Sequence, residues 1–283
     1  MRVIATISLV GSLVSSLVAC KPGPDGSEVQ SLDNMTRDDG AALTQNHCGI
    51  EMTEKRVESL SSRDRAKLRR IVAPTESLKY AAAGALSAVP KPIQSVFFAA
   101  DGILRVVKNP ETLCSTAGLS AAELKFAGEA QENVEGCWRL GQGKLEIIIK
   151  ADEDAIKHGL VRLMGYAYTQ FFAERVANLA SAPSDIQKSI VNGTKRFRMQ
   201  REELGTALLG DLELRKASTR ARFESFAKSD RDSYEDFVFA ESIDSYYCSP
   251  QSRATMKKNF PATYRVFTQG PLNLLKDFGE PIK

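Results

Sequence analysis

Strand-like patterning in this chain of 283 residues is confined to two short windows, and that confinement limits any sheet to a few strands. "GILRVVK" (102–108) alternates its β-branched residues and predicts one strand. "GCWRLGQGKLEIIIK" (136–150) predicts a β-hairpin or a strand entry with glycines at its turn, followed by the buried strand "LEIIIK". After Lys150 the pattern is helical to the end. "ADEDAIKHGLVRLMGYAYTQFFAERVANLA" (151–180) opens with an acidic first turn that suits the positive end of a helix dipole and then spaces its apolar residues helically. Pro183 marks a break, a charged amphipathic segment covers 184–228, and "DSYEDFVFAESIDSYYCSP" (232–250) is a helix that stops before Pro250. One more helix is expected in "PATYRVFTQGPLNLLKDFG" (261–279). Upstream, helical patterns occupy 51–71 and 75–87, and the prolines of "AVPKPIQ" (88–94) read as punctuation. Helices, a few strands, then helices predict an α+β fold, mostly helical with a small sheet, and exclude a βαβ repeat.

The first twenty residues, "MRVIATISLVGSLVSSLVAC", begin with a basic Arg2, continue through an apolar run too short to span a bilayer comfortably, and stop at small residues. This is the pattern of an export signal. Its last letters, Leu17-Val18-Ala19-Cys20, resemble the lipobox of bacterial lipoproteins, in which the peptide is cut before the cysteine and the cysteine is acylated. The resemblance implies a signal peptide at 1–19, lipidation at Cys20 and a membrane partner reached through the N-terminal lipid. Lys21 stands where inner-membrane retention calls for Asp, so the expected location is the cell envelope at the outer membrane. Residues 20–45, rich in Gly, Pro, Asp and Ser, are expected to form a flexible tether. The domain proper is then 46–283.

Four cysteines remain beyond Cys20, namely Cys48, Cys114, Cys137 and Cys248, and an even count in an exported chain predicts two disulfides. Three connectivities are open. Cys114 and Cys137 bracket a short segment and form the first expected pair, which leaves Cys48 with Cys248. No C-x-x-C spacing occurs, which argues against a zinc knuckle or a thioredoxin-like redox pair.

The formal charge is only +3, and the basic runs at 63–70, 195–201 and 215–222 lie in helical patterns with acids nearby, so they read as solvated helix faces. No nucleic-acid partner is expected. No G-x-S-x-G elbow, phosphate-binding glycine loop or EF-hand run is present, and paired cysteines leave no thiol for a Cys-His nucleophile. The aromatic residues Tyr166, Tyr168, Phe171, Phe172, Tyr246 and Tyr247 read as packing residues. Glu174 and Glu241 read equally as buried acids or surface charges.

"FAESIDSYYCSPQSRATMKKNFPATYRVF" (239–267) resembles the C-terminal signature of the zincin metallopeptidases related to anthrax lethal factor, where a Phe-Ala-Glu helix precedes a Pro-x-Thr-aromatic stretch. The upstream order is similar: prolines, a strand, a second strand, then the helix that carries His-Glu-x-x-His in that family. The likeness extends over most of 75–270, with matching motif letters in 239–264.

The resemblance implies a zincin-like fold, and it places His158 at the first metal-ligand position. A zinc helix needs two histidines one turn apart with a glutamate between them as general base. Here Gly159 stands at the base position, Arg162 at the second ligand, and Phe237 at the third, four residues before Glu241. With only His47 and His158 in the chain, no His-x-x-x-His pair exists. The expectation is a non-catalytic, zincin-like lipoprotein domain that needs no cofactor and binds a peptide or protein ligand. The alternatives are an active hydrolase with a rearranged site, an unrelated structural envelope lipoprotein and, for His158, an ordinary hydrogen-bonding helix histidine.

Overall fold

A computed structural model describes residues 48–99, 101–114, 136–141, 144–177, 184–213 and 217–281. The leader, the tether, Cys20 and His47 lie outside the described residues.

The fold is α+β. Two short helices, α1 (Glu54–Glu58) and α2 (Ser62–Leu68), lead into strand β1 (Ile71–Val72) and helices α3 (Glu76–Ala88) and α4 (Lys91–Ala99). Strand β2 (Ile103–Val107) and the short helix α5 (Pro110–Cys114) precede the hairpin β3 (Gly136–Gly141) and β4 (Lys144–Lys150). The rest is helical: α6 (Glu153–Ala177), α7 (Ser184–Leu212), α8 (Ala217–Ser229), α9 (Arg231–Tyr247), α10 (Pro250–Asn259), α11 (Pro261–Thr268) and α12 (Leu275–Phe278).

The sheet runs β1-β2-β4-β3, parallel at its first two junctions and antiparallel between β3 and β4. The period of two decides its faces. Leu104, Val106, Leu145, Ile147 and Ile149 point into the main core, while Ile148 points the other way, onto the Cys114–Cys137 disulfide. On that second face Arg105 donates from Nε and Nη2 to Glu146 Oε1 at 3.1 and 3.0 Å, so the nearly buried carboxylate keeps a partner.

Two expectations needed correction, at 51–71 and at 184–228. The helical window at 51–71 is two short helices, capped by Thr53 and Ser61, followed by an edge strand. The prolines at 90 and 92 do punctuate, since α3 ends at Ala88, and they also open α4, because a first-turn residue has no intrahelical use for the N–H that proline lacks. Gln94 then reaches back to the carbonyls of Leu86 and Val89 at 3.0 and 2.7 Å, satisfying the end of α3. The amphipathic stretch at 184–228 is two helices, and an additional helix, α10, starts at Pro250 with a reciprocal Ser249–Ser252 capping box.

Both disulfides form as first expected, Cys114–Cys137 and Cys48–Cys248. The second straps the beginning of the domain to the end of α9, where Gly49 N–H also donates to the Cys248 carbonyl at 3.0 Å. Gly49 has φ +78°, and a Cβ there would sit 2.0 Å from the Gly84 carbonyl oxygen, so only glycine fits.

The Pro-Ala-Thr-Tyr stretch opens α11, whose own N-cap residue, Phe260, has no side-chain acceptor. Asp211, at the end of α7, supplies it. Its carboxylate is buried and accepts from Ala262 N–H at 2.9 Å, Thr263 N–H at 2.8 Å and the Thr263 hydroxyl at 2.7 Å. Replacing Asp211 with Ala removes the acceptor of two backbone donors and one hydroxyl at a helix N-terminus, and we expect a loss of about 3 kcal/mol in urea denaturation. A loss well under about 1 kcal/mol would show that α11 is held by packing alone.

Candidate functional site

Helices α6 and α9, each buried along much of its described length, cross at the centre of the molecule. On α6, Ile156, Leu160, Val161, Met164 and Ala167 are buried on successive faces; on α9 every residue from Phe237 to Tyr247 is buried. Their close approach depends on Gly165, since a Cβ there would lie 3.0 Å from Ala240 Cα. The crossing therefore puts the turn of α6 around residue 162 beside Glu241.

Arg162 and Glu241 meet there. Arg162 Nη1 lies 3.4 Å from Glu241 Oε1, and the two side chains are 19% and 4% exposed. The Arg162 cation is thus matched by the carboxylate of the Phe-Ala-Glu letters, across 79 residues of sequence. Gly159 is buried in the preceding turn. His158 belongs to the same helix, but its side chain lies outside the described residues, as do those of Phe171, Phe172 and Glu174.

Phe237 is core. Its ring packs against Phe223 at 6.0 Å and Phe226 at 6.4 Å, both from α8. The two acids just before Phe237 are paired with arginines: Glu235 with Arg231, and Asp236 with Arg201 of α7. Burial lowers the Arg201 pKa, and the Glu235 and Asp232 charges oppose that shift. Three carboxylates on one helix therefore serve three different arginines.

The aromatic expectations hold where the side chains are described. Tyr168 packs with Phe197, Phe239 and Phe278 at centroid distances of 5.3, 6.1 and 5.6 Å. Tyr246 stacks on Phe267 at 4.3 Å, and burial pushes its phenol up to about 12, so it stays neutral.

Among the described residues, the one cluster with metal-ligand spacing is Cys48, Asp244 and Cys248, and its two sulfurs are joined in a disulfide, so they offer no thiolate. A cavity of about 600 Å³ lies at the N-terminal end of α6, between residues 48–52 and α3, and is lined by Ile50, Glu51, Met52, Tyr80, Glu153 and Lys157 among others. Neither Arg162 nor Glu241 reaches it. Residue patterning missed Asp211 and Arg201. The signal for Asp211 was an acid in the otherwise apolar turn "ALLGDL" (207–212).

No family model matches the chain, and no curated protein does. Among solved structures, the PRO-PRO endopeptidase (PPEP-2) from Paenibacillus alvei is similar over 69% of this chain and 94% of that chain, with a TM-score of 0.40 and 14% sequence identity.

Removing Arg162 alone leaves Glu241 buried beside a lost cation. We expect Arg162→Ala to cost about 3 kcal/mol, and Arg162→Leu with Glu241→Leu to cost clearly less than the sum of the single changes. Additive losses in a double-mutant cycle would show that the two side chains do not interact.

Proposed function

We propose that this chain is a lipid-anchored envelope protein whose zincin-like domain has given up metallopeptidase chemistry and binds a peptide or protein. The observation that carries the reading is the Arg162–Glu241 pair. A guanidinium about 4 Å from a divalent ion would repel it by roughly 8 kcal/mol at an effective dielectric of 20. The site also lacks the groups that would outweigh this: Gly159 has no carboxylate to accept a proton from bound water, and Phe237 offers a ring where a third ligand would stand.

Binding is the activity that survives such losses. Strand β3 closes one side of the sheet, and among the described residues no strand pairs with its outer edge. An extended peptide could add there through backbone hydrogen bonds. The lipid anchor is supported by the leader and by Cys20, with the Lys21 context favouring the outer membrane.

Elemental analysis of the purified mature protein should find no stoichiometric zinc, and added zinc should confer no peptide hydrolysis. Tightly bound zinc would overturn the non-catalytic reading. Separately, Cys20→Ser should move the protein from the detergent phase to the aqueous phase, and unchanged partitioning would place the anchor elsewhere.

A further inference from the structure

Residues 245–276 contain five basic residues and no acid, in a chain whose whole net charge is +3. Four of them, Arg253, Lys257, Lys258 and Arg265, lie on the consecutive helices α10 and α11. Lys257, Lys258 and Arg265 are exposed, and Arg253 is half-buried. Among the described residues no carboxylate lies within ion-pair distance of any of the four, although most other arginines of the helical half are paired. What holds two of them is aromatic. The Arg253 guanidinium sits 5.4 Å from the centroid of Tyr246, and Lys257 Nζ sits 5.8 Å from that of Tyr264. Their spacing of four places both on one helix face. Three acids lie near these helices: Asp211 is buried and caps α11, Asp277 is engaged by Arg196, and Glu280 acts together with Arg253 on Tyr246.

The Cys48–Cys248 disulfide gives this patch a position. It brings the residue at which the N-terminal segment joins the domain to 4.2 Å, Cα to Cα, from Cys248, two residues before α10 begins. Anything attached upstream of Cys48 therefore leaves the domain at the foot of the basic helices. We propose that α10 and α11 form a membrane-contact surface for anionic phospholipid headgroups, turning this pole of the domain toward the bilayer. The orienting role rests on the lipid-anchor reading, whereas the binding does not. Phosphate charge on a surface attracts unpaired Lys and Arg with roughly a fivefold gain in partitioning for each residue, and salt screens it within a Debye length.

The experiment uses the mature chain from residue 20 with Cys20→Ser, so that no acyl chain contributes. Its sedimentation with phosphatidylcholine vesicles is compared with that on vesicles containing phosphatidylglycerol. We expect selective binding to the anionic vesicles, lost at high salt and reduced at least tenfold by Arg253→Gln, Lys257→Gln, Lys258→Gln and Arg265→Gln together. A matched variant, Lys91→Gln, Lys108→Gln, Lys195→Gln and Lys228→Gln, changes the net charge equally at exposed positions elsewhere and should bind as before. Circular dichroism confirms that both variants are folded. Equal loss in the two variants, absence of any anionic preference, or tighter binding to soluble polyphosphate than to vesicles would each overturn the proposal. Failure of the anchor reading would show instead in the detergent partitioning of the Cys20 protein, which this measurement does not touch.

Discussion

The crossing of α6 and α9 is the contact on which the rest of the molecule depends. The described residues of each helix are mostly buried, and a helix of that kind is stable only inside other structure. The sheet and α3 cover one side of α6, α9 covers another, and α7, α8, α10 and α11 complete the wrap around α9. Gly165 lets the two axes approach until Ala240 Cα is at contact distance. That approach brings Arg162 and Glu241 within reach, so the electrostatics of the site are a consequence of a missing side chain three residues away.

A buried ion pair is a poor source of net stability, because the desolvation of both ions offsets their attraction. Its effect is felt when one partner is absent. Around α9 the arrangement is repeated: Glu235 with Arg231, Asp236 with Arg201, Glu241 with Arg162. An α9 rotated or shifted by one residue would strand several charges in the core, so the pairs select one register at little gain in total stability. The same logic applies at Asp211, whose carboxylate is answered by backbone donors and not by a cation. A metal would therefore have to compete with arginine for Glu235, Asp236 and Glu241.

Much of the architecture was legible in the sequence because it rested on local periodicity. The hairpin at 136–150, the strand around Leu104, the long helix after Lys150 and the helix ending before Pro250 all appear where alternation or helical spacing placed them. The features that escaped depend on partners far away in the chain. Ile71–Val72 is a strand only because Leu104 and Arg105 lie beside it. Pro92 begins a helix because Gln94 and the preceding helix end satisfy each other there. The site shows the same division. The letters Gly159, Arg162 and Phe237 are visible in the sequence, but the pairing of Arg162 with Glu241 and the packing of Phe237 against Phe223 and Phe226 exist only in the fold.

The disulfides connect these levels. Cys114–Cys137 fastens α5 to the second face of the sheet, where Ile148 with Val107 and Leu113 makes only a small apolar cluster that would be weak without a covalent link. Cys48–Cys248 closes a loop of 200 residues that contains the sheet and both central helices, and the chain-entropy gain of such a link grows with the length of the loop. Its second effect is geometric. Because Cys248 terminates α9, the bridge fixes the point where the upstream chain departs relative to the helix that carries Glu241, and the site, the strap and the basic helices that follow share one rigid frame.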